Sequence, residues 1–233
     1  PLYEIGVPFI YMNSVGTFRD MITIIHEGGH AIHSFLSRDL EITAFKSLPS
    51  EVAELASMGM ELISMDYWDV FFDNEEDLRR AKKEQLETIL RILPWVATID
   101  RYQHWVYENP SHTPEERKEK WEEILDTFGS GMADWTGFED ARAHSWQKQL
   151  HLFEVPFYYI EYAISQLGAI AIWKNFKENP EVALDKYEKA LSLGYTKNIG
   201  EIYEAAGIKF DFSQEYVREI SSFVNAELEK VLE

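Results

Sequence analysis

The sequence predicts a mainly α, multi-helical protein with a short extended segment at its amino end. Three observations carry that prediction. Apolar residues recur at helical spacing along most of the 233 residues, strand-like alternation is nearly absent, and proline with early acids stands where helices would begin. Low-complexity stretches, linkers and repeats at a fixed period are missing, which predicts one helical domain over 1–233.

Residues 1–12, PLYEIGVPFIYM, are apolar and aromatic with two prolines. That composition favours an extended edge segment, which could present backbone groups to an extended peptide by strand addition. Asn13 to Thr17 reads as a turn into a first helix carrying Met21-Ile22-Thr23-Ile24-Ile25. Pro49-Ser50 then opens a second helix over 51–62, with Glu51 as an early acid. Further helices are predicted at 76–107, bent at Pro94, and at 114–128, 157–178, 180–193, 197–206 and 213–232. The acidic patches Asn74 to Asp77 and Glu115-Glu116 read as helix starts, and 179–190 as part of an ordinary helical hairpin.

Composition removes several classes of function. The chain has no cysteine, so a metal here must be held by imidazole and carboxylate rather than thiolate. A formal charge of −19 without a basic stripe excludes nucleic acid as a partner. No stretch approaches the roughly 20 apolar residues of a membrane span, and no signal segment is visible. The expectation is a soluble, unexported, cytoplasmic protein.

The first helix holds the most informative feature, His26-Glu27-Gly28-Gly29-His30. Residues four apart share a helical face, so both imidazoles can aim at one metal ion with Glu27 beside it, the layout of a zinc peptidase. Two adjacent glycines would each cost about 1 kcal/mol in a helix, reasonable where something approaches the backbone closely. A catalytic zinc takes three protein ligands, and position 36, where another histidine could serve, is Leu36. Glu51, Glu54 and Glu61 on the second helix are the candidates. Glu54 and Glu61 interrupt an apolar surface where an unpaired carboxylate would be costly, but spacing does not choose among the three.

HEGGHAIH at 26–33, PSEVAELASMGMELI at 49–63 and HLFEVPFYYIEYAISQ at 151–166 together resemble the oligoendopeptidase F group within the thimet-oligopeptidase-like family of zinc metallopeptidases. The resemblance covers essentially the whole chain and implies a zincin-type metallopeptidase fold. It implies His26, His30 and Glu54 as ligands of one zinc ion per chain, and Glu27 as general base. It also implies that Glu61 accepts a hydrogen bond from a ligand histidine, and that His151, Tyr158 and Tyr162 hold the substrate and its developing oxyanion. Tyr158 and Tyr162 would share a face of a helix starting after Pro156, with Tyr159 about 100° round it as a weaker candidate. His33, His104, His112 and His144 are read as structural or exposed.

Gly28 stands where the family has a phenylalanine-like or small residue, a change away from ligand and base. Family members also carry a large helical region upstream of the motif, forming one wall of the substrate channel, whereas this chain starts almost at the motif. The expectation is the carboxyl-terminal portion of a longer peptidase, with the missing amino-terminal portion as its partner. The function expected is internal cleavage of short unfolded peptides. The rival readings are a catalytically silent zinc- or peptide-binding helical module and a related zinc carboxypeptidase.

Overall fold

The structure, a computed structural model, describes residues 6–233. Part of the expected extended segment, residues 1–5, lies outside them. Residues 6–17 have no regular structure, and the described residues contain no strand. Phe9 and Tyr11 are among the most exposed large side chains of the protein.

The described residues form ten α-helices: α1 (Phe18–Leu36), α2 (Ser50–Ser64), α3 (Glu75–Glu108), α4 (Pro114–Phe128), α5 (Glu139–Ala143), α6 (His151–Glu154), α7 (Ile160–Glu178), α8 (Pro180–Ser192), α9 (Ile199–Ala205) and α10 (Gln214–Leu232). Their starts are written locally. The Asp20 carboxylate accepts the Thr17 N–H at 2.7 Å ahead of α1. Thr113 and Glu116 exchange backbone and side-chain bonds across the first turn of α4, whose first residue is Pro114. Asn179, Asn198 and Ser213 accept from the first turns of α8, α9 and α10. The first helical residue of α2 is Ser50, directly after Pro49. α3 runs through Pro94, and the Thr98 hydroxyl donates to the Pro94 carbonyl at 2.8 Å.

The described chain divides into two compact units, residues 6–88 with 164–233, and residues 89–163. In the first, α2 is deeply buried: Val52, Leu55, Ala56 and Leu62 have no exposed surface, and Ile170, Trp173, Tyr187 and Ile202 of the same unit are buried as well. Polar ties hold it to its neighbours. Ser165 on α7 and Tyr203 on α9 both donate to the Glu51 carbonyl, and the Tyr187 hydroxyl donates to the Ala56 carbonyl. In the second unit, Ile99, Tyr102, Trp121 and Ile124 form the core, with Trp95 and Trp146 packed against it. The Trp121 indole N–H donates to the Arg142 carbonyl and the Ser145 hydroxyl, joining α4 to the chain after α5.

Candidate active site

In the first unit, α1 and α2 lie so close that a Cβ built on Gly29 would meet Ser57 Cα at 2.6 Å and the Ala56 carbonyl at 2.8 Å. Only glycine fits there, and its absent side chain lets the two backbones carry their polar residues face to face. Gly28 differs, since a Cβ on it would meet nothing within 4 Å.

His26 and His30, one turn apart on α1, stand edge to face with ring centroids 4.9 Å apart. Glu54 comes from α2. Ligand-capable atoms of His26, His30 and Glu54 lie within 4.8 Å of one another, all partly buried, the one such grouping of three or more among the described residues. His26 Nε2 is 3.4 Å from Glu54 Oε2. Two atoms each ~2.0–2.1 Å from a tetrahedral ion lie about 3.4 Å apart, so this pair already has the separation of zinc ligands. Behind it, His26 Nδ1 donates to Glu61 Oε1 at 2.6 Å, and the buried Gln85 amide donates to Glu61 Oε2 at 2.8 Å. Glu61 thereby fixes the Nδ1–H tautomer and leaves the Nε2 lone pair for a metal. Ser57 donates to Glu54 Oε2 at 3.3 Å. The donor set, two imidazoles and a carboxylate with a backed histidine, fits a divalent metal of the zinc class.

The surrounding charges favour a proton on His26. Burial acts to lower the His26 pKa, but hydrogen bonds to Glu54 and Glu61 and their charges outweigh it and raise it to about 10. Burial likewise acts to raise the Glu54 carboxyl, yet its bond with His26 and the charges of His26 and His30 bring it below its ordinary value. At His30 burial prevails and the pKa falls. Glu27 lies outside the three-residue group, though its charge reaches His30. Glu51, left open by the spacing, is also outside the group. His33 is buried and pushed down to about 4 by that burial, a neutral packing residue.

The second unit gathers His151, Tyr158, Tyr159 and Tyr162. The His151 ring lies 6.1 Å from Tyr158 and 5.7 Å from Tyr162, and Tyr162 Oη is 3.4 Å from His151 Nε2. The two tyrosine rings are 5.6 Å apart, although Tyr158 precedes the helix. The helix expected from 157 begins at Ile160, because Phe157 adopts a left-handed φ of 62° and breaks the run. That break also brings Tyr159 to 4.9 Å from His151 and 5.3 Å from Tyr162, rather than round the helix from them.

The proton on His151 can be placed. The Trp95 indole N–H, a donor only, points to Gln149 Oε1 at 3.2 Å. The Gln149 NH2 must then face His151 Nδ1, 2.7 Å away, so Nδ1 accepts and Nε2 carries the hydrogen. Gln85, Gln149 and Ser57 were not singled out by the sequence. Ser57 had a legible place, one turn from Glu54, whereas both glutamines act on residues distant in sequence.

The family model described as Peptidase family M3 matches residues 2–222. The chain belongs to this family. Among curated relatives, an oligoendopeptidase F homolog of Borreliella burgdorferi is 26% identical over 197 residues, covering 82% of this chain and 33% of the relative. Oligopeptidase PepF of Bacillus subtilis is 22% identical, covering 86% of this chain and 30% of the relative. The chain thus spans about a third of the length of these relatives. Among solved structures, PZ peptidase A with an inhibitor superimposes with a TM-score of 0.86 at 32% identity, over 97% of this chain and 40% of that one. Oligoendopeptidase-F from Enterococcus faecium, at 19% identity and a TM-score of 0.68 over 91% of this chain and 38% of that one, shares the fold. The structural matches agree with the helical architecture. No helix among the described residues is long and apolar enough to cross a membrane.

Proposed function

We propose that this chain carries the catalytic portion of a zinc-dependent oligoendopeptidase that hydrolyses internal bonds of short unfolded peptides. One observation carries the reading: His26, His30 and Glu54 converge within 4.8 Å, with His26 held from behind by Glu61 and Glu61 by Gln85. A helix face with no ligand to hold would have no use for that buried carboxylate relay. Membership of the peptidase family supports the reaction class, and the names of the relatives support oligopeptides as substrates.

His26, His30 and Glu54 would hold the metal. A bound zinc ion supplies Lewis acidity, which brings the pKa of water down to about 7. Glu27 accepts the proton of the attacking water and returns it to the leaving amine, as general base and then general acid. Glu61 keeps the His26 ring in one orientation throughout. His151, with its hydrogen on Nε2, and the Tyr158 hydroxyl donate to the substrate carbonyl as it becomes an oxyanion, and Tyr162 assists through His151. The exposed, irregular segment around Phe9 and Tyr11 would offer its backbone to an extended peptide.

The test compares wild type with Glu27→Gln on an internally quenched peptide, with metal content measured on both. The variant should keep its zinc and lose about 10²–10⁴-fold in turnover. Normal turnover in Glu27→Gln would remove Glu27 from the reaction. Mass analysis of the products should show internal cleavage, and single-residue trimming would move the assignment to a carboxypeptidase.

A further inference from the structure

Phe157 is the one residue other than glycine with a left-handed backbone among the described residues, at φ 62°. For a bulky L side chain that region is strained, and such strain persists only where the surroundings impose it. The local sequence explains the shape but not the residue. The Tyr158 N–H donates to the Val155 carbonyl at 3.1 Å, with Pro156 and Phe157 between them. Proline followed by a left-handed residue is the pattern of a type II turn, whose second central position ordinarily holds glycine. A phenylalanine there must be held from outside the turn.

α3 supplies the hold. The Phe157 N–H donates to Gln103 Oε1 at 2.9 Å, across 54 residues of sequence, and the Phe157 ring lies 5.0 Å from those of His104 and Tyr107. Those two rings are exposed, whereas Gln103 is only 3% exposed, so its hydrogen bond forms where water competes least. The Gln103 amide nitrogen is buried and has no hydrogen-bond partner among the described residues. An apolar side chain would avoid that cost. The bond to Phe157 is therefore what a glutamine contributes at this position. Type I and type II turns differ by rotation of the peptide between their central residues, here Pro156 and Phe157. The Phe157 N–H meets Gln103 in the left-handed form, and the rotation that would relieve the strain turns it away.

This turn lies between two residues of the candidate site. On one side the Val155 N–H donates to the His151 carbonyl at 3.1 Å, and on the other Tyr158 follows Phe157 directly. The His151 and Tyr158 rings stack with centroids 6.1 Å apart and planes 21° apart. We propose that Gln103 is a positioning residue for the oxyanion donors: by holding Phe157 left-handed, it keeps the Tyr158 hydroxyl and the His151 ring in one relative geometry. This role rests on the reading of His151 and Tyr158 as the groups that hold the substrate carbonyl. Gln103 itself is buried and acts through Phe157.

The test is a double-variant cycle of Gln103→Met and Phe157→Gly on the whole chain, read by peptide turnover and by NMR of the His151 ring. Gln103→Met should lower kcat about 10–100-fold, with KM changed by less than about twofold. It should also move the His151 ring C–H resonances, assigned by their loss in His151→Gln, as the stacked Tyr158 ring shifts. Glycine adopts the left-handed turn without strain, so in the Phe157→Gly background Gln103→Met should add little further change to either readout. Equal losses in both backgrounds would make Gln103 a packing residue of α3 and overturn the proposal. An unchanged kcat, or unmoved His151 resonances, in Gln103→Met alone would overturn it too. A wild-type chain that cleaves no peptide would instead remove the peptidase reading, and the resonances would still decide whether Gln103 sets the geometry.

Discussion

The adjacent glycines of the motif provide a sharp test, because the structure assigns them opposite responses to one added methyl group. At position 28 a Cβ enters open space, whereas at 29 it lands 2.6 Å from Ser57 Cα and 2.8 Å from the Ala56 carbonyl. Ordinary contact needs about 3.5 Å, so α1 and α2 must part by roughly 1 Å for Gly29→Ala to fit. Neither partner atom is a side chain that could swing away. The helix-propensity gain of about 1 kcal/mol is available to both variants, but overpacking at 29 costs about 1–3 kcal/mol. Gly28→Ala should therefore stabilise the metal-free chain by up to about 1 kcal/mol, and Gly29→Ala should be neutral to destabilising by about 2 kcal/mol. Parting the helices also separates His30 from Glu54, and metal ligands tolerate only about 0.2 Å of misplacement. Zinc affinity should consequently fall at least about tenfold in Gly29→Ala. Urea unfolding of the metal-free proteins and competition with a chelator read both quantities. Equal stability and equal zinc affinity in the two variants would refute the close approach of α1 to α2.

Three further outcomes follow from the same geometry. Glu61→Gln and Gln85→Leu should each weaken metal binding, by about 10–100-fold for the first, and undiminished affinity in chelator competition would show that the relay behind His26 is idle. Because the folded His26 pKa is raised to about 10 from 6.5, its contribution to metal-free stability is fully present below pH 6.5 and is lost as pH rises through about 10. Metal must displace that proton, so affinity should rise with pH across this window and about one proton should be released at neutral pH, read by calorimetry in buffers of different ionisation enthalpy. Finally, nitrogen NMR of the His151 ring should find the hydrogen on Nε2 in the wild type and a mixture of tautomers in Gln149→Met. A wild-type hydrogen on Nδ1 would reverse the amide orientation deduced from Trp95.

What the sequence made legible was what is encoded locally. Pro114 with Glu116, Asn179 with Pro180, and Asn198 with Glu201 act within one turn of their helices, and the helices begin close to where those residues place them. The facing of His26 and His30 is a property of one helix and followed from spacing. The choice of Glu54 over Glu51 was not, because it depends on which side of α2 meets α1, and that approach is set by contact at Gly29. Gln85 reaches Glu61 from 24 residues away, and Gln149 lies 54 residues from Trp95, so neither leaves a mark on its own neighbourhood. The early start expected for the helix carrying Tyr162 failed for a related reason. The left-handed Phe157 backbone, its N–H held by Gln103, follows from contacts within the second unit and not from the residues around Pro156.

Whether His26, His30 and Glu54 hold one metal ion is read by elemental analysis of the purified chain. Wild type and Glu54→Ala would be prepared at neutral pH with no metal added after purification. About one zinc per chain is expected in the wild type, with a clear loss in Glu54→Ala. Wild-type chain that stays metal-free after incubation with zinc, or Glu54→Ala that retains a full equivalent, would contradict it.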